Sequence, residues 1–113
     1  MRYVRLERYL SEILATYDVD AIGYELVRRH MGTDASHIYG GIIAHLKRLA
    51  EEHMIPYRGI PVGTVKRLFC GKGNAGKAAM ILAAQSRYGI SGDLASDEAD
   101  ALAVAFALAV ELC

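Results

Sequence analysis

Apolar residues recur along the chain at spacings that predict seven elements in the order α-β-α-β-α-α-α. Helical segments have apolar side chains every three or four residues, whereas two short, mostly apolar segments bounded by turn residues predict strands. The predicted elements are a helix over 2–16, a strand over 18–27, a helix from about 33 to 53, a strand over 54–61, a helix over 62–70, a helix that follows the loop 71–77 and lasts to about 87, and a helix from 97 to about 112.

Alternation of helices and strands in the first half predicts an α/β fold with parallel strands and right-handed crossovers. The chain has 113 residues, enough for a single domain over 1–113. Two strands form a small sheet whose edges stay unpaired, an arrangement that natural proteins avoid. We therefore expect that another chain completes the sheet or that upstream strands are absent from this sequence.

Charge is divided unevenly although the formal net charge is zero. The segment 53–92 has six basic residues and no acid, and the segment 93–113 has five acids and no basic residue. Such a division suits a protein that holds a polyanion with one region and metal cations with another. Chance clustering on solvated faces is the alternative.

The cysteines and the apolar runs bear on the compartment. Cys70 and Cys113 are widely spaced and form no CxxC pair, which favours a reducing environment. The longest apolar run, 101–110, is too short to span a bilayer. We therefore expect a cytoplasmic protein with no membrane partner.

Acidic residues stand where a metal site needs them. Asp97 and Asp100 are three residues apart at the start of the last helix and point the same way. The apolar run 101–110 predicts that this helix is wholly buried, so paired carboxylates at its edge are costly without a cation. Ser96 or Asp97 acting as a helix cap is the structural alternative. Glu25 lies near the end of a mostly apolar strand, and with the aspartates it offers oxygen ligands for Mg²⁺ or Mn²⁺.

Three stretches together resemble the RuvC family of Holliday junction resolvases. They are "AIGYEL" (21–26), "IPYRGIPVGTVKRLFCGKGNAGKAAM" (55–80) and "SDEADALAVA" (96–105), in this order. The resemblance implies a ribonuclease H-like fold, here helix-rich with a residual short parallel sheet. It also implies a metal-dependent endonuclease that cleaves four-way DNA junctions in recombination and repair, acting as a homodimer through the 33–53 helix.

The resemblance assigns roles to five residues. Glu25, Asp97 and Asp100 match metal-binding and catalytic carboxylates of the family, with Mg²⁺ or Mn²⁺ as cofactor. Lys66 and Lys77 match lysines that contact DNA phosphates beside the site. A solvated helix face is the alternative explanation for both lysines.

Two departures from the family pattern accompany these matches. The family's fourth carboxylate lies on a first strand that has no counterpart here, so we expect a chain without the first three strands and with impaired activity. Where the family often has an aromatic residue after the strand glutamate, this chain has Val27, Arg28 and Arg29. Arg28 and Lys72, which lies in the loop 71–77, are expected to bind DNA phosphates.

Two other function classes compete with the nuclease. The segment 71–78 fits most of a phosphate-binding P-loop, but Ala78 replaces the serine or threonine that holds Mg²⁺, and the preceding segment looks helical. A non-catalytic module that grips branched DNA by electrostatics is the main alternative.

The long central helix raises a third possibility, a dimerisation domain. Gly40–Gly41 inside it costs stability unless another backbone packs closely there. His30, His37, His45 and His53 are seven or eight residues apart, so two helical turns separate neighbours. We interpret them as partly exposed helix residues rather than as ligands of one ion.

Overall fold

A computed structural model describes residues 1–28 and 32–112. The elements are α1 (Arg2–Thr16), β1 (Ile22–Leu26), α2 (Thr33–Glu52), β2 (Tyr57–Pro61), α3 (Val62–Cys70), α4 (Lys77–Tyr88) and α5 (Ser96–Leu112). The predicted order is confirmed, and both strands are shorter than predicted, with five residues each. Arg29, His30 and Cys113, which entered the sequence predictions, lie outside the described residues.

The described residues form two compact units. The first, which we call the helical unit, comprises Met1–Ile22 and Val27–Tyr57 and contains α1 and α2. The second, the sheet unit, comprises Gly23–Leu26 and Arg58–Cys113 and contains most of both strands with α3, α4 and α5. A single domain over 1–113 stays a prediction.

In the helical unit, α1 packs against α2 through an aromatic and ionic contact. Tyr3 stacks on the His45 ring, with the ring centroids 4.7 Å apart and the planes 10° from parallel. Glu7 forms hydrogen bonds with His45 and Arg48, and Arg48 also donates to Glu52 over 3.0 Å. His45 is partly exposed, as interpreted from the sequence, and it also joins the two helices.

The two adjacent glycines of α2 have different surroundings. A Cβ at Gly41 would overlap the hydroxyl end of Tyr3, whereas a Cβ at Gly40 would meet nothing within 4 Å. The sequence predicted that another backbone packs close to these glycines, and this is wrong: the close neighbour is the Tyr3 side chain of α1, and it lies against Gly41 and not Gly40.

This difference predicts opposite effects of alanine at the two positions. Gly40→Ala should raise the free energy of unfolding by ~0.5–1 kcal/mol, because alanine loses less backbone entropy in a helix. Gly41→Ala should lower it by about 1–2 kcal/mol, because forced overlap outweighs that gain. Urea unfolding measures both, and Tyr3→Leu should relieve much of the Gly41→Ala loss. Equal effects of the two alanines would contradict the packing described here.

The sheet unit holds the larger core. Its two strands pair as neighbours in a short parallel sheet. The core side chains, all under one-tenth exposed, are Ile60, Val65, Phe69, Ala75, Met80, Ala84, Ala99, Ala103, Val104, Ala107 and Leu108. Left-handed glycines end two of its helices: Gly71 (φ 84°) after α3 and Gly89 (φ 61°) after α4.

The expectation that α5 is wholly buried is wrong. One side of the helix is buried, and the other exposes Ala101, Ala105 and Ala109 to solvent. Val110 is 43% exposed and Leu112 53%. Because the run 101–110 is apolar on every face of the helix, the sequence pattern does not show which face is buried. An alanine side chain has a small apolar area, so alanines on the other face can stay exposed to solvent at little cost. No helix among the described residues is both long and apolar enough to span a membrane.

Candidate functional site

The packing of α5 on β1 is favoured by the similar spacing of side chains along the two elements. Alternate strand residues face one side and advance ~6.6 Å, and residues four apart on a helix advance ~6 Å. A Cβ at Gly23 would lie 3.1 Å from Val104 Cγ1 and 3.2 Å from Leu108 Cδ2, so α5 packs directly on this strand. Glu25 lies two residues after Gly23 on the strand, and Asp100 lies four residues before Val104 on the helix. Glu25 and Asp100 interact electrostatically, as this register predicts.

Glu25 and Asp100 line one cavity of about 240 Å³ in the sheet unit. The lining residues are Glu25, Val62, Lys66, Ala75, Gly76, Lys77, Met80 and Asp100. Two predicted carboxylates and two predicted lysines therefore share one cavity, although up to 75 positions separate them in the sequence. We call this cavity the acidic-basic cavity.

Burial and charge in the cavity act on Glu25. Removal of its carboxyl from water raises the pKa of Glu25 above the ordinary value, and the negative charge of Asp100 raises it further. The Lys66 cation opposes this rise. Glu25 and Asp100 would hold a divalent cation, whose positive charge would favour the ionised form of Glu25.

The two lysines reach the cavity from different helices. Lys66 is half-buried on α3, and Val65 and Phe69, each 1% exposed, anchor that helix in the core. Lys77 is exposed as the first residue of α4. Within the described part of the chain, no side chain caps this helix start at Gly76, so its first amide groups can donate to an anion.

Three predicted site residues do not line the cavity. Asp97 is exposed in the first turn of α5, and Lys72 is exposed between α3 and α4. Arg28 is exposed after β1 and belongs to the helical unit. Among residues 1–28 and 32–112, no three His, Cys, Asp or Glu side chains lie close enough to hold one metal ion. The structure thus brings together two of the three predicted carboxylates.

Sequence reasoning missed the apolar part of the lining. Val62 lies four residues before Lys66, and Met80 lies three residues after Lys77. On a helix, side chains three or four apart share a face. Counting back and forward from the two lysines would therefore have found both residues.

The raised pKa of Glu25 predicts the pH dependence of stability without metal. The folded state binds the Glu25 proton more tightly than the unfolded chain, so stability falls as pH rises from the ordinary glutamate pKa to the raised one. Glu25→Gln removes this loss. In EDTA, it should unfold at higher urea than wild type at pH 7, and the difference should shrink at pH 4.

Two measurements check the cause of this effect. Glu98→Gln exchanges an exposed carboxylate in the first turn of α5 and should not reproduce the stabilisation at pH 7. Mg²⁺ at pH 7 should stabilise wild type more than Glu25→Gln, because an ion bound to the folded state alone raises its stability. If Glu25→Gln is less stable than wild type at pH 7, and this deficit in stability is no larger at pH 4, the assigned burial cost is contradicted.

Comparison with known proteins relates the fold to solved structures. No protein-family model and no curated protein matches the chain. A structure of Thermus thermophilus RuvC in complex with a Holliday junction substrate is similar with a TM-score of 0.90 and 23% identity, over 98% of this chain and 68% of that chain. A second Thermus thermophilus RuvC structure has a TM-score of 0.81 with the same identity and coverages. The chain has the fold of these RuvC structures, which confirms the helix-rich ribonuclease H-like fold with a short parallel sheet expected from the sequence.

Proposed function

We propose that this chain binds branched DNA and cleaves its phosphodiester backbone with the help of a divalent metal. The observation that carries the proposal is the acidic-basic cavity, where Glu25 and Asp100 face the same space as Lys66 and Lys77. The RuvC fold supports it, since one similar structure is a complex with a Holliday junction substrate. Cleavage of four-way junctions is the substrate choice that this likeness favours.

The two carboxylates suit Mg²⁺ or Mn²⁺. Mg²⁺ is often held by one or two carboxylates, with waters and substrate phosphates filling the other positions. Glu25 and Asp100 would provide those two carboxylates. When bound, such an ion supplies electrostatic stabilisation of the charge that develops on the scissile phosphate.

The basic side of the cavity would bind the DNA strand. Lys66 and Lys77 would neutralise and position the phosphate, and the amide groups at the start of α4 would donate hydrogen bonds to its oxygens. Val62 and Met80 give the cavity an apolar wall, which strengthens the attraction between these charges.

The other residues assigned from the sequence remain part of the proposal. Asp97, one turn before Asp100, would be a third metal ligand or would act through a bound water. Lys72 and Arg28, both exposed, would contact phosphates outside the cavity. A homodimer formed through α2 would present two such sites to a symmetric junction.

A non-catalytic DNA-binding role is the second candidate. It is favoured by one observation, that the described residues bring two carboxylates together and not the three or more of a complete metal cluster. Such a protein would keep its affinity for junctions and would not cut them.

Incubation of a labelled four-way junction and a matching linear duplex separates these candidates. Binding and cutting are read in one gel, with Mg²⁺, with Mn²⁺ and with EDTA. Symmetric nicks in the junction that need metal support the nuclease. Junction binding without nicks supports the binding module. If neither DNA binds at low salt, both candidates are wrong.

A further inference from the structure

The outer side of α1 presents three arginines and a tyrosine to solvent. Arg2, Arg5 and Arg8 are exposed, and Tyr9 is 66% exposed. Residues three apart on a helix differ by about 60° in direction and ~4.5 Å in height, so the three arginines form one band about 9 Å long. We call this band, with Tyr9, the arginine face. Glu12, also exposed, is the acidic residue of α1 on this side.

These three arginines have no ion-pair partner among the described residues. By contrast, Arg48 pairs with Glu7 and Glu52, and Arg58 pairs with Glu111 over 3.3 Å. The three arginine charges exceed the single opposing charge of Glu12, so this side of α1 has a net positive charge in a protein whose formal net charge is zero. Such a surface attracts an anionic partner.

The opposite side of α1 packs against α2, and this limits the kind of partner that the arginine face can bind. Tyr3 stacks on His45 of α2, and its hydroxyl lies against Gly41. A helix that lies in a membrane surface must bury an apolar face among lipids. Because α1 packs against α2 through Tyr3 and Glu7, that side of the helix is not free to enter lipid, so a lipid surface fits poorly and an extended polyanion fits better.

The length of the arginine band and the geometry of the guanidinium group both suit a DNA phosphate backbone as that polyanion. A duplex carries one negative charge per ~1.7 Å of its axis, so a 9 Å band faces several phosphates. The guanidinium group can make two parallel hydrogen bonds to one phosphate. Tyr9 adds a hydroxyl donor within the band.

We propose that the arginine face of α1 is a second DNA-binding surface, which holds the phosphate backbone of a duplex arm independently of the acidic-basic cavity. The choice of DNA as the polyanion rests on the proposed function. The surface itself is inferred from the charge and exposure of the three arginines and from the absence of acidic side chains that form ion pairs with them in the described part of the chain.

Fluorescence anisotropy of a labelled duplex and a four-way junction, in EDTA and at several salt concentrations, tests the proposal. The triple variant Arg2→Gln, Arg5→Gln, Arg8→Gln keeps helix-forming side chains and should weaken binding at least about tenfold at 100 mM salt. The slope of log affinity against log salt should become shallower by roughly two to three, as expected for the loss of three phosphate contacts. Circular dichroism melts check that the triple variant is folded.

Two further variants keep the test decisive if the triple variant is unstable. Glu12→Gln removes the acid of this side and should strengthen binding about two- to threefold. Arg58→Gln makes the same change in net charge as Arg5→Gln, but its guanidinium is already paired with Glu111. It should therefore weaken binding less than Arg5→Gln does.

The outcomes separate this proposal from the proposed function. If wild type binds DNA and the arginine variants bind it equally well, the arginine face is overturned while the cavity stands. If the arginine variants lose affinity and wild type cuts no DNA, the arginine face stands and the nuclease does not. If wild type binds phosphatidylserine vesicles and no DNA, both proposals are overturned.

Discussion

Asp100→Asn should reduce metal-dependent cleavage of a four-way junction by at least about 100-fold, with affinity for the junction in EDTA equal to wild type or higher. Asn keeps the size of the side chain, so the start of α5 is preserved while a negatively charged ligand is lost. Loss of one carboxylate weakens both metal affinity and stabilisation of the phosphate charge, and effects of this size are typical. Affinity in EDTA should not fall because a charge that repels the DNA is removed.

Glu25→Gln should reproduce this loss, since both carboxylates line the same cavity. Glu98→Gln is the matched control, because Glu98 is an exposed acid two residues before Asp100 on the same helix. Its cleavage rate should stay within about twofold of wild type. Asp97→Asn tests the sequence prediction of a third ligand: a loss as large as that of Asp100→Asn supports it, and a rate near that of Glu98→Gln removes Asp97 from the site.

Single-turnover cleavage with Mn²⁺ and with Mg²⁺ measures these effects. A lost metal ligand should raise the metal concentration needed for half-maximal rate, which a general loss of folding would not do. Wild-type cleavage that persists undiminished in Asp100→Asn would contradict the assigned role of the cavity.

Phe69→Ala should lower the free energy of unfolding by about 3–5 kcal/mol, the range found for large aromatic side chains in cores. Phe69 is 1% exposed and packs edge-to-face against Phe106, with ring centroids 5.6 Å apart. On the α4 side, the guanidinium carbon of Arg87 lies 5.4 Å from the centroid of the Phe69 ring, and the Tyr88 ring centroid lies 6.5 Å from it. Truncation therefore removes contacts to α4 and α5 together.

A loss of this size is a large share of the ~5–15 kcal/mol that stabilises a typical domain. Phe69→Leu, the control, keeps most of the buried volume and should cost about 1.5 kcal/mol or less. Urea unfolding followed by circular dichroism measures both. A cost below about 1 kcal/mol for Phe69→Ala would show that the helices of the sheet unit do not depend on this packing.

Some features could be predicted from local sequence alone. The order of the seven elements follows from the spacing of apolar residues, and the ends of α3 and α4 follow from Gly71 and Gly89. Glu25 and Asp100 were recognisable as candidates because carboxylates are unusual beside apolar segments, whereas Lys66 and Lys77 were assigned only through the family resemblance of the stretch that contains them. The element order, the helix ends and the two carboxylates depend on signals within about ten positions of one another.

Other features depend on contacts between distant segments. Asp97 and Asp100 are equivalent in the sequence, and only the packing of α5 on β1 directs Asp100 to Glu25 and leaves Asp97 exposed. The same packing decides which side of the alanine-rich α5 is buried, because an all-apolar pattern gives both sides equal preference. Gly41 likewise acquires its close neighbour, Tyr3, only when α1 lies on α2. Local sequence thus determined the elements and the reactive residue types, whereas which of them meet was decided by long-range packing, since no local energy distinguishes one face of a helix from another until a second element covers it.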